Sequence, residues 1–392
     1  MLWRSGDKLS GMADSSVSRR NFIGSAAATT FTIVAPQAVR GSQANSKISV
    51  GLIGSGGRGT YDATIVNGDP RARVSALCDL FDDRIEKATA ALKLQNPKTY
   101  KDFEKLLGAA DIDAVIIATP PFEHPRMLEA AVEAKKHVYC EKPMGVDLAG
   151  VQQCIKAGRR ADPKKNLFVG FQQRYGPEYL EAYGRLKNGG IGELANARAF
   201  WISNDPFKRV PYDDPKIEKL RNWFCYPEYS GDIIVEQDCH NLDVLHWFLN
   251  ARPISAVGMG GRKVRTSMPI LDHLSLTYEF PDNIHVNFEA NQISPPGFSK
   301  VGEEFTGTKG VLETSRARMV HIKGRGPENR EEMPTKRDIT NDAFEKVLDN
   351  IQNGQVENVA ERSAISTLFA ILGRTAIYEK RQATWKGEFG DV

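Results

Sequence analysis

Four groups of residues in this chain have the types and spacing to do chemistry. The first is a glycine loop, Gly54-Ser55-Gly56-Gly57-Arg58-Gly59, which follows an apolar β-branched run directly and opens a short helix. Glycines there permit a tight turn and close backbone approach, and the free amides of a helix N terminus favour a pyrophosphate. Asp79 lies twenty residues beyond Gly59, at the end of the next apolar run. A carboxylate in that place accepts hydrogen bonds from ribose hydroxyls and repels a 2′-phosphate, which favours NAD over NADP. A glycine turn with an unliganded Asp has the same spacing. Arg58 has two readings, a pyrophosphate contact or a solvent-facing cation.

The second group is Glu141-Lys142-Pro143, directly after the run His137–Cys140. Met without context, such a tripeptide reads as a surface turn. The third is Glu236-Gln237-Asp238-Cys239-His240-Asn241-Leu242-Asp243. On an uninterrupted helix Glu236, His240 and Asp243 share one face at intervals of four and three. A carboxylate one turn before the imidazole fixes its tautomer and raises its basicity, leaving the other ring nitrogen to take a proton. Spacing alone favours a satisfied helical histidine. A metal on these three residues is disfavoured, because neither an HExxH motif nor a second cluster supplies the remaining ligands. The fourth group is looser: Arg174, which either clamps a substrate hydroxyl or carboxylate or forms a structural salt bridge, and the aromatic residues Trp201, Trp223, Tyr226 and Tyr229, which either wall a sugar site or pack in the core.

The elements that must carry these groups can be read from periodicity. Short apolar runs at Ile48–Ile53, Val74–Cys78, Ala114–Ala118, His137–Cys140 and Leu167–Gly170 alternate with helix-like segments at Asp83–Leu94 and His124–Lys135. Continuous apolar strands separated by helices mean a parallel sheet covered on both faces, here a doubly wound nucleotide-binding domain. Beyond about Pro177 the strands lengthen and alternate, as in His273–Phe280 and Ile284–Ala290 joined at Pro281-Asp282-Asn283, which predicts an α+β domain with an antiparallel sheet. Asp205–Tyr229, dense in Pro, aromatic and charged residues, reads as a long irregular loop over the cleft, and a helix over roughly Glu361–Lys380 precedes a polar tail. The predicted organisation is therefore 1–46 leader and linker, 47–171 dinucleotide domain, 172–360 substrate and oligomerisation domain, and 361–392 a helix and tail that return to the body.

Ser18-Arg19-Arg20-Asn21-Phe22-Ile23, with the weakly apolar run to Ala35 and the small-x-small site Ser42-Gln43-Ala44, has the anatomy of a twin-arginine export leader. Met12 is an alternative start. The reading implies passage through the twin-arginine machinery in the folded state and a location in the periplasm or otherwise outside the cytoplasmic membrane. An enzyme exported that way would carry its dinucleotide with it, tightly bound. No run approaches the ~20 apolar residues of a stable membrane span. The net charge of +3 arises in the first 44 residues, and the balanced remainder lacks the basic footprint of a nucleic-acid binder. Five scattered cysteines without a CxxC pair, Cys78, Cys140, Cys154, Cys225 and Cys239, read as small core residues.

Three segments carry a resemblance to a known family. Ala118-Thr119-Pro120-Pro121-Phe122-Glu123-His124, Tyr139-Cys140-Glu141-Lys142-Pro143 and Gly170-Phe171-Gln172-Gln173-Arg174 resemble the signature segments of the glucose-fructose oxidoreductase, inositol dehydrogenase and rhizopine-catabolism (Gfo/Idh/MocA) family. The similarity runs from about Lys47 to Phe389. It implies an α/β Rossmann N-terminal domain, an α+β C-terminal domain with a large, mainly antiparallel open sheet, and homo-oligomers formed through that sheet.

The resemblance also implies roles. Thr119, Pro120, His124 at the cleft mouth, Glu141 and Lys142 would join Gly54, Gly56, Arg58, Gly59 and Asp79 around NAD, with the Lys142-Pro143 bond cis. Lys142 would stabilise charge on the carbinol oxygen, and Glu141 would hold the nicotinamide ribose or orient the lysine. His240 would act as acid or base on the alcohol, assisted by Glu236, where the family commonly has Asp. Apart from the resemblance, Arg174, Asp243, Trp223 and Tyr226 are the candidate substrate contacts by residue type. Three functions stand open at this point: a dehydrogenase of a secondary hydroxyl on a sugar, polyol or glycoside, an NAD-dependent glycoside hydrolase working by oxidation, elimination, water addition and re-reduction, and a non-catalytic sugar-binding protein.

Overall fold

A computed structural model describes residues 47–206 and 208–392. The twin-arginine motif and its cleavage site lie outside the described residues. The first half alternates strand and helix: β1 (Ile48–Ile53), α1 (Gly57–Gly68), β2 (Ala72–Cys78), α2 (Asp82–Ala91), β3 (Lys98–Tyr100), α3 (Phe103–Leu107), β4 (Ala114–Ile117), α4 (His124–Glu133), β5 (His137–Cys140), α5 (Leu148–Arg159) and β6 (Leu167–Val169). Its strands pair in parallel in the order β3-β2-β1-β4-β5-β6. β1 and β4 are buried along their whole length, as strands sandwiched between helices must be. Strand order reverses between β1 and β4, and the crevice at such a switch point is where open α/β sheets bind ligands.

The second half begins with α6 (Pro177–Lys187) and β7 (Leu194–Ile202) and continues through α7 (Pro215–Arg221), α8 (Pro227–Ser230), α9 (Asp232–Glu236) and α10 (Cys239–Leu249). A sheet follows, built from β8 (Ser255–Gly261), β9 (His273–Phe280), β10 (Ile284–Asn291), β11 (Lys300–Gly307), β12 (Val311–Thr314), β13 (Arg318–Ile322) and β14 (Arg330–Pro334). The chain ends with α11 (Ile339–Asn353), α12 (Ala360–Glu379), β15 (Ala383–Thr384) and α13 (Trp385–Phe389). The nine-stranded order is β14-β13-β12-β11-β7-β10-β9-β8-β15, antiparallel except for the parallel β7–β10 pair. The expected antiparallel sheet is thus mixed at one seam, because β8, β9 and β10 meander back onto a strand laid down before the helices.

Period-two alternation in β9 and β10 buries Leu274, Leu276, Tyr278, Phe280, Val286 and Phe288 on one face. That face meets α12, where the Phe369 ring contacts Tyr278 at 4.5 Å and Phe280 at 5.5 Å. The helix is buried on most of its circumference, since it also packs on α5 of the first domain and on α10. One apolar core therefore runs from a face of the first sheet to the inner face of the second. The opposite face of the first sheet is closed by α1, α2 and α11, with Phe344 of α11 against Tyr139 at 4.3 Å. The chain accordingly returns to the first domain at Ile339, earlier than the boundary at 361 read from the sequence.

Candidate functional site

The loop after β1 is shaped by two glycines. Gly54 has φ of +92°, and a Cβ on Gly59 would lie 2.0 Å from the Gly54 carbonyl oxygen, so neither position accepts a side chain. A Cβ at Gly56 would meet nothing within 4 Å, and no side chain caps α1. The helix N terminus therefore faces open space. A cavity of about 510 Å³ lies there, lined by Gly54, Gly56, Asp79, Thr119 and Pro120, and from the second half by Arg221 and Trp223. The Asp79 carboxylate accepts the amides of Ser55 (2.8 Å) and Phe81 (2.9 Å), which fixes it at the cavity wall. A glycine cradle, an uncapped helix end and a strand-end carboxylate around a cleft of this size fit a dinucleotide, with the pyrophosphate held at α1 and the adenosine ribose at Asp79.

Several residues expected in this region do other work. Arg58 is neither at an open anion site nor free in solvent: its guanidinium binds Glu141 at 2.8 Å and Asp62 at 3.1 Å. Burial and the neighbouring Glu141 push the Asp62 carboxyl well above its usual range. For Glu141 burial pulls the same way, but Arg58 and then Lys142 overcome it and hold the carboxyl below its ordinary value. Glu141 thus ties the glycine loop to the end of β5 and does not orient the lysine ammonium. His124 is buried, with Nδ1 2.7 Å from the Pro143 carbonyl oxygen and Nε2 2.9 Å from that of Thr119. It clamps two loops at the cleft and is not itself a wall of the cavity. The Lys142-Pro143 peptide bond is cis.

Lys142 reaches across to the second half. Its Nζ donates to the Glu236 carbonyl oxygen (2.6 Å) and to Oε1 of the same residue (2.9 Å). Burial works against the ammonium, yet the Glu236 charge outweighs it and raises the lysine above its ordinary value. The expected helix face is broken here. α9 ends at Glu236, both Gln237 and Asp238 bond back to the Ile233 carbonyl, and α10 starts at Cys239, so the four-residue spacing no longer aligns the Glu236 and His240 side chains. Glu236 holds Lys142 and makes no hydrogen bond to the imidazole.

His240 is 5% exposed, its ring stacks on Trp201 (centroids 5.8 Å, 22°) and meets Phe171 edge-on at 6.2 Å. Neither ring nitrogen has a hydrogen-bond partner among the described residues, and Nδ1 is buried. Burial, then the charges of Arg316, Lys142 and Arg58, push its pKa well below the usual histidine value, so the ring is neutral. Arg316, on the turn between β12 and β13, was not singled out by sequence; a surface-type arginine in a hairpin carries no motif.

Arg174 and Asp243 are brought together, but with each other. Asp243 is fully buried and accepts Arg174 Nε (2.9 Å) and Nη2 (2.8 Å) together with Ser366 Oγ (2.6 Å). This bidentate pair joins the segment after β6 to α10 and α12, so Asp243 does not share an open face with His240. Trp223 lines the dinucleotide cavity and is not beside His240. Tyr226 sits in the same segment, its hydroxyl on Glu218 (3.2 Å). The expected irregular loop folds around Glu218, which also gathers Arg209 (2.7 Å) and Asn222 (2.7 Å). It lies across the cavity as a strap, with Arg221 on Asp83 (2.6 Å) and Tyr229 against Phe122 (4.4 Å). Among the described residues no three His, Cys, Asp or Glu side chains are grouped to hold a metal, and no helix is long and apolar enough to cross a membrane. All five cysteines are buried and free.

A parallel sheet with a glycine-cradled cleft, and a lysine beyond β5 bound across to the second half, defines a dinucleotide-binding protein of two-domain type. Residues 48–171 match the oxidoreductase family with an NAD-binding Rossmann fold, and residues 179–313 match the GFO/IDH/MocA C-terminal domain. Together these cover more than half of the chain, which belongs to the Gfo/Idh/MocA family. Among curated relatives, inositol 2-dehydrogenase of Rhizobium meliloti is 30% identical over 208 residues, 53% of this chain and 57% of that protein. The chain thus matches little more than half the length of that relative. The crystal structure of myo-inositol 2-dehydrogenase from Lactobacillus plantarum superposes with a TM-score of 0.71 at 20% identity, covering 86% of this chain and 99% of the other. Levoglucosan dehydrogenase in complex with NADH and levoglucosan gives a TM-score of 0.73 at 16% identity, over 86% and 99%. At these identities the structures show the shared fold.

Proposed function

We propose that the protein is an NAD-dependent oxidoreductase acting on a secondary hydroxyl of a sugar, polyol or glycoside. The observation that carries this reading is the meeting of the Lys142 ammonium, from the end of β5, with the His240 side of the second domain through Glu236. When bound, NAD supplies a two-electron acceptor. His240, neutral and without a partner on its ring, takes the proton of the hydroxyl, a role typically worth about 10²–10⁴ in rate. Lys142, kept charged by Glu236, stabilises the negative charge that grows on the carbinol oxygen. Relatives named for inositol oxidation support the substrate class.

The leader motif Arg19-Arg20 supports a periplasmic location reached in the folded state. Export with a soluble cofactor requires retention, and the strap over the cavity supplies a means. Homo-oligomerisation through the uncovered face of the nine-stranded sheet is supported by apolar side chains left there, Met259 at 82% and Val257 at 45% exposure. The test is turnover of the full chain on a panel of polyols, free sugars and chromogenic glycosides, with reduced nicotinamide and products followed together. A carbonyl product formed in step with reduced nicotinamide supports the dehydrogenase. Aglycone release with the cofactor unchanged overturns it in favour of the glycosidase, and inertness toward every member overturns it in favour of a binding protein.

A further inference from the structure

Three cations act on His240: Arg316, Lys142 and Arg58. Two of them are spoken for. Lys142 has the Glu236 carboxylate, and Arg58 has those of Glu141 and Asp62. Arg316 has neither a hydrogen bond nor an ion pair among the described residues, and its guanidinium carbon lies 5.1 Å from the centroid of Trp201, the ring that also stacks on His240 at 5.8 Å.

The sheet register explains the placement. Thr314 of β12 pairs with Glu303 of β11, Glu303 pairs with Ala199 of β7, and Val301 pairs with Trp201. The turn Ser315-Arg316-Ala317 that follows β12 therefore rises beside Trp201. Its backbone is satisfied locally, with the Ala317 and Arg318 amides on Ser315 Oγ at 3.2 and 3.1 Å, so the arginine side chain plays no part in holding the turn. Nearby carboxyls do not neutralise it. Glu303 is buried against Asn241 and Thr314, each at 2.6 Å, and burial pushes it up to about 8, so it is mainly protonated near neutrality. Asp338 is engaged by the Tyr61 hydroxyl (2.7 Å) and by the first turn of its own helix.

A guanidinium with its donor fork free, two ring spacings from the base and among other positive charges, matches a planar oxyanion in both charge and geometry. We propose that Arg316 receives an anionic substituent of the substrate, so that the compound oxidised is an acidic carbohydrate bearing a carboxylate or a phosphate or sulfate ester. This rests on the reading of His240 as the group that meets the reacting hydroxyl.

The test is binding, measured by calorimetry on the full chain with its dinucleotide, for matched acidic and neutral compounds: D-glucuronate and glucose 6-phosphate against D-glucose, D-galacturonate against D-galactose, D-gluconate against sorbitol. At least one acidic member should bind about 10- to 100-fold tighter than its parent, the gain of a charge-assisted pair. Whether carboxylates or the phosphate ester bind better separates the two sources of charge. Arg316→Gln should remove that preference while leaving the neutral parent unchanged, and Arg316→Lys should restore part of it. Equal binding of every acidic and neutral pair, or equal weakening of both by Arg316→Gln, overturns the proposal. Reduced nicotinamide is followed in parallel: preference for the acid without any oxidation retains the anion receptor and removes the oxidoreductase reading, and oxidation without preference does the reverse.

Discussion

Lys142 Nζ donates to two oxygens of a single residue, the carbonyl and the carboxylate of Glu236, at 2.6 and 2.9 Å. The lysine is thereby held from the second domain while its backbone lies two residues beyond β5 of the first. Removing one member of a buried ion pair leaves the other uncompensated, at a cost of about 3–5 kcal/mol, so a charge-neutral isostere is the informative change. Glu236→Gln is expected to retain the dinucleotide and to lower kcat by about 10²-fold, near the loss seen when one stabilising donor is removed. Because the Glu236 charge raises the lysine, the variant should also lose its activity at a lower pH on the alkaline side. A kcat–pH profile checks both. An unchanged alkaline limb would separate Glu236 from the ionisation of Lys142.

The strap gives cofactor retention a physical basis. Arg221 pairs with Asp83 and lies over the Phe81 ring at 3.9 Å, and Tyr229 meets Phe122 at 4.4 Å, so the segment is fastened on both sides of the cavity. Each fastening is worth about 1 kcal/mol, and together they amount to roughly a tenfold or greater change in dinucleotide affinity. The double variant Arg221→Ala, Phe122→Ala should lose NAD on exhaustive dialysis where the parent keeps it, read by mass spectrometry of the denatured protein. Equal NAD in both proteins would mean that the strap does not retain it.

Glu303 makes stability depend on pH in a defined direction. Its pKa rises to about 8 in the folded chain through burial, so between its ordinary value and about 8 the folded state keeps a proton that the unfolded state has released. Stability from this group is complete below about 4.5 and is lost progressively as pH rises toward 8, by about 1.4 kcal/mol per unit. Glu303→Gln keeps hydrogen-bonding groups toward Asn241 and Thr314 and removes that loss. Urea unfolding should show the variant gaining on the parent from pH 5 to about 8, and a constant difference would contradict the assignment.

What the sequence made legible follows the strength of local signals. β1 and β5 are short and mostly apolar and β9 alternates strictly, and their bounds coincide with the runs that pattern defines. β3, Lys98–Tyr100, is a short exposed edge strand without an apolar run and gives no such signal. α11 is amphipathic, but nothing in its residues states which sheet its apolar face will cover. In the site, the glycine loop declares itself because Gly54 and Gly59 are sterically obligatory. The pairing of Glu236 with Lys142 was hidden, since the break at Gln237-Asp238 carries neither Gly nor Pro and the run reads as continuous helix. Arg174 and Asp243 were found as charged residues near the site, while their mutual burial depends on Ser366, more than a hundred residues away in the chain.

His240 is the proposed neutral group that takes the substrate proton. His240→Ala, prepared as the full chain, should hold the parent amount of NAD; it loses the packing on Trp201 and Phe171 and unfolds at a lower temperature, so both proteins are assayed well below that transition. Its turnover on the best substrate of the panel should fall by about 10²–10⁴-fold. Turnover within about twofold of the parent, with NAD bound in both, would contradict the account.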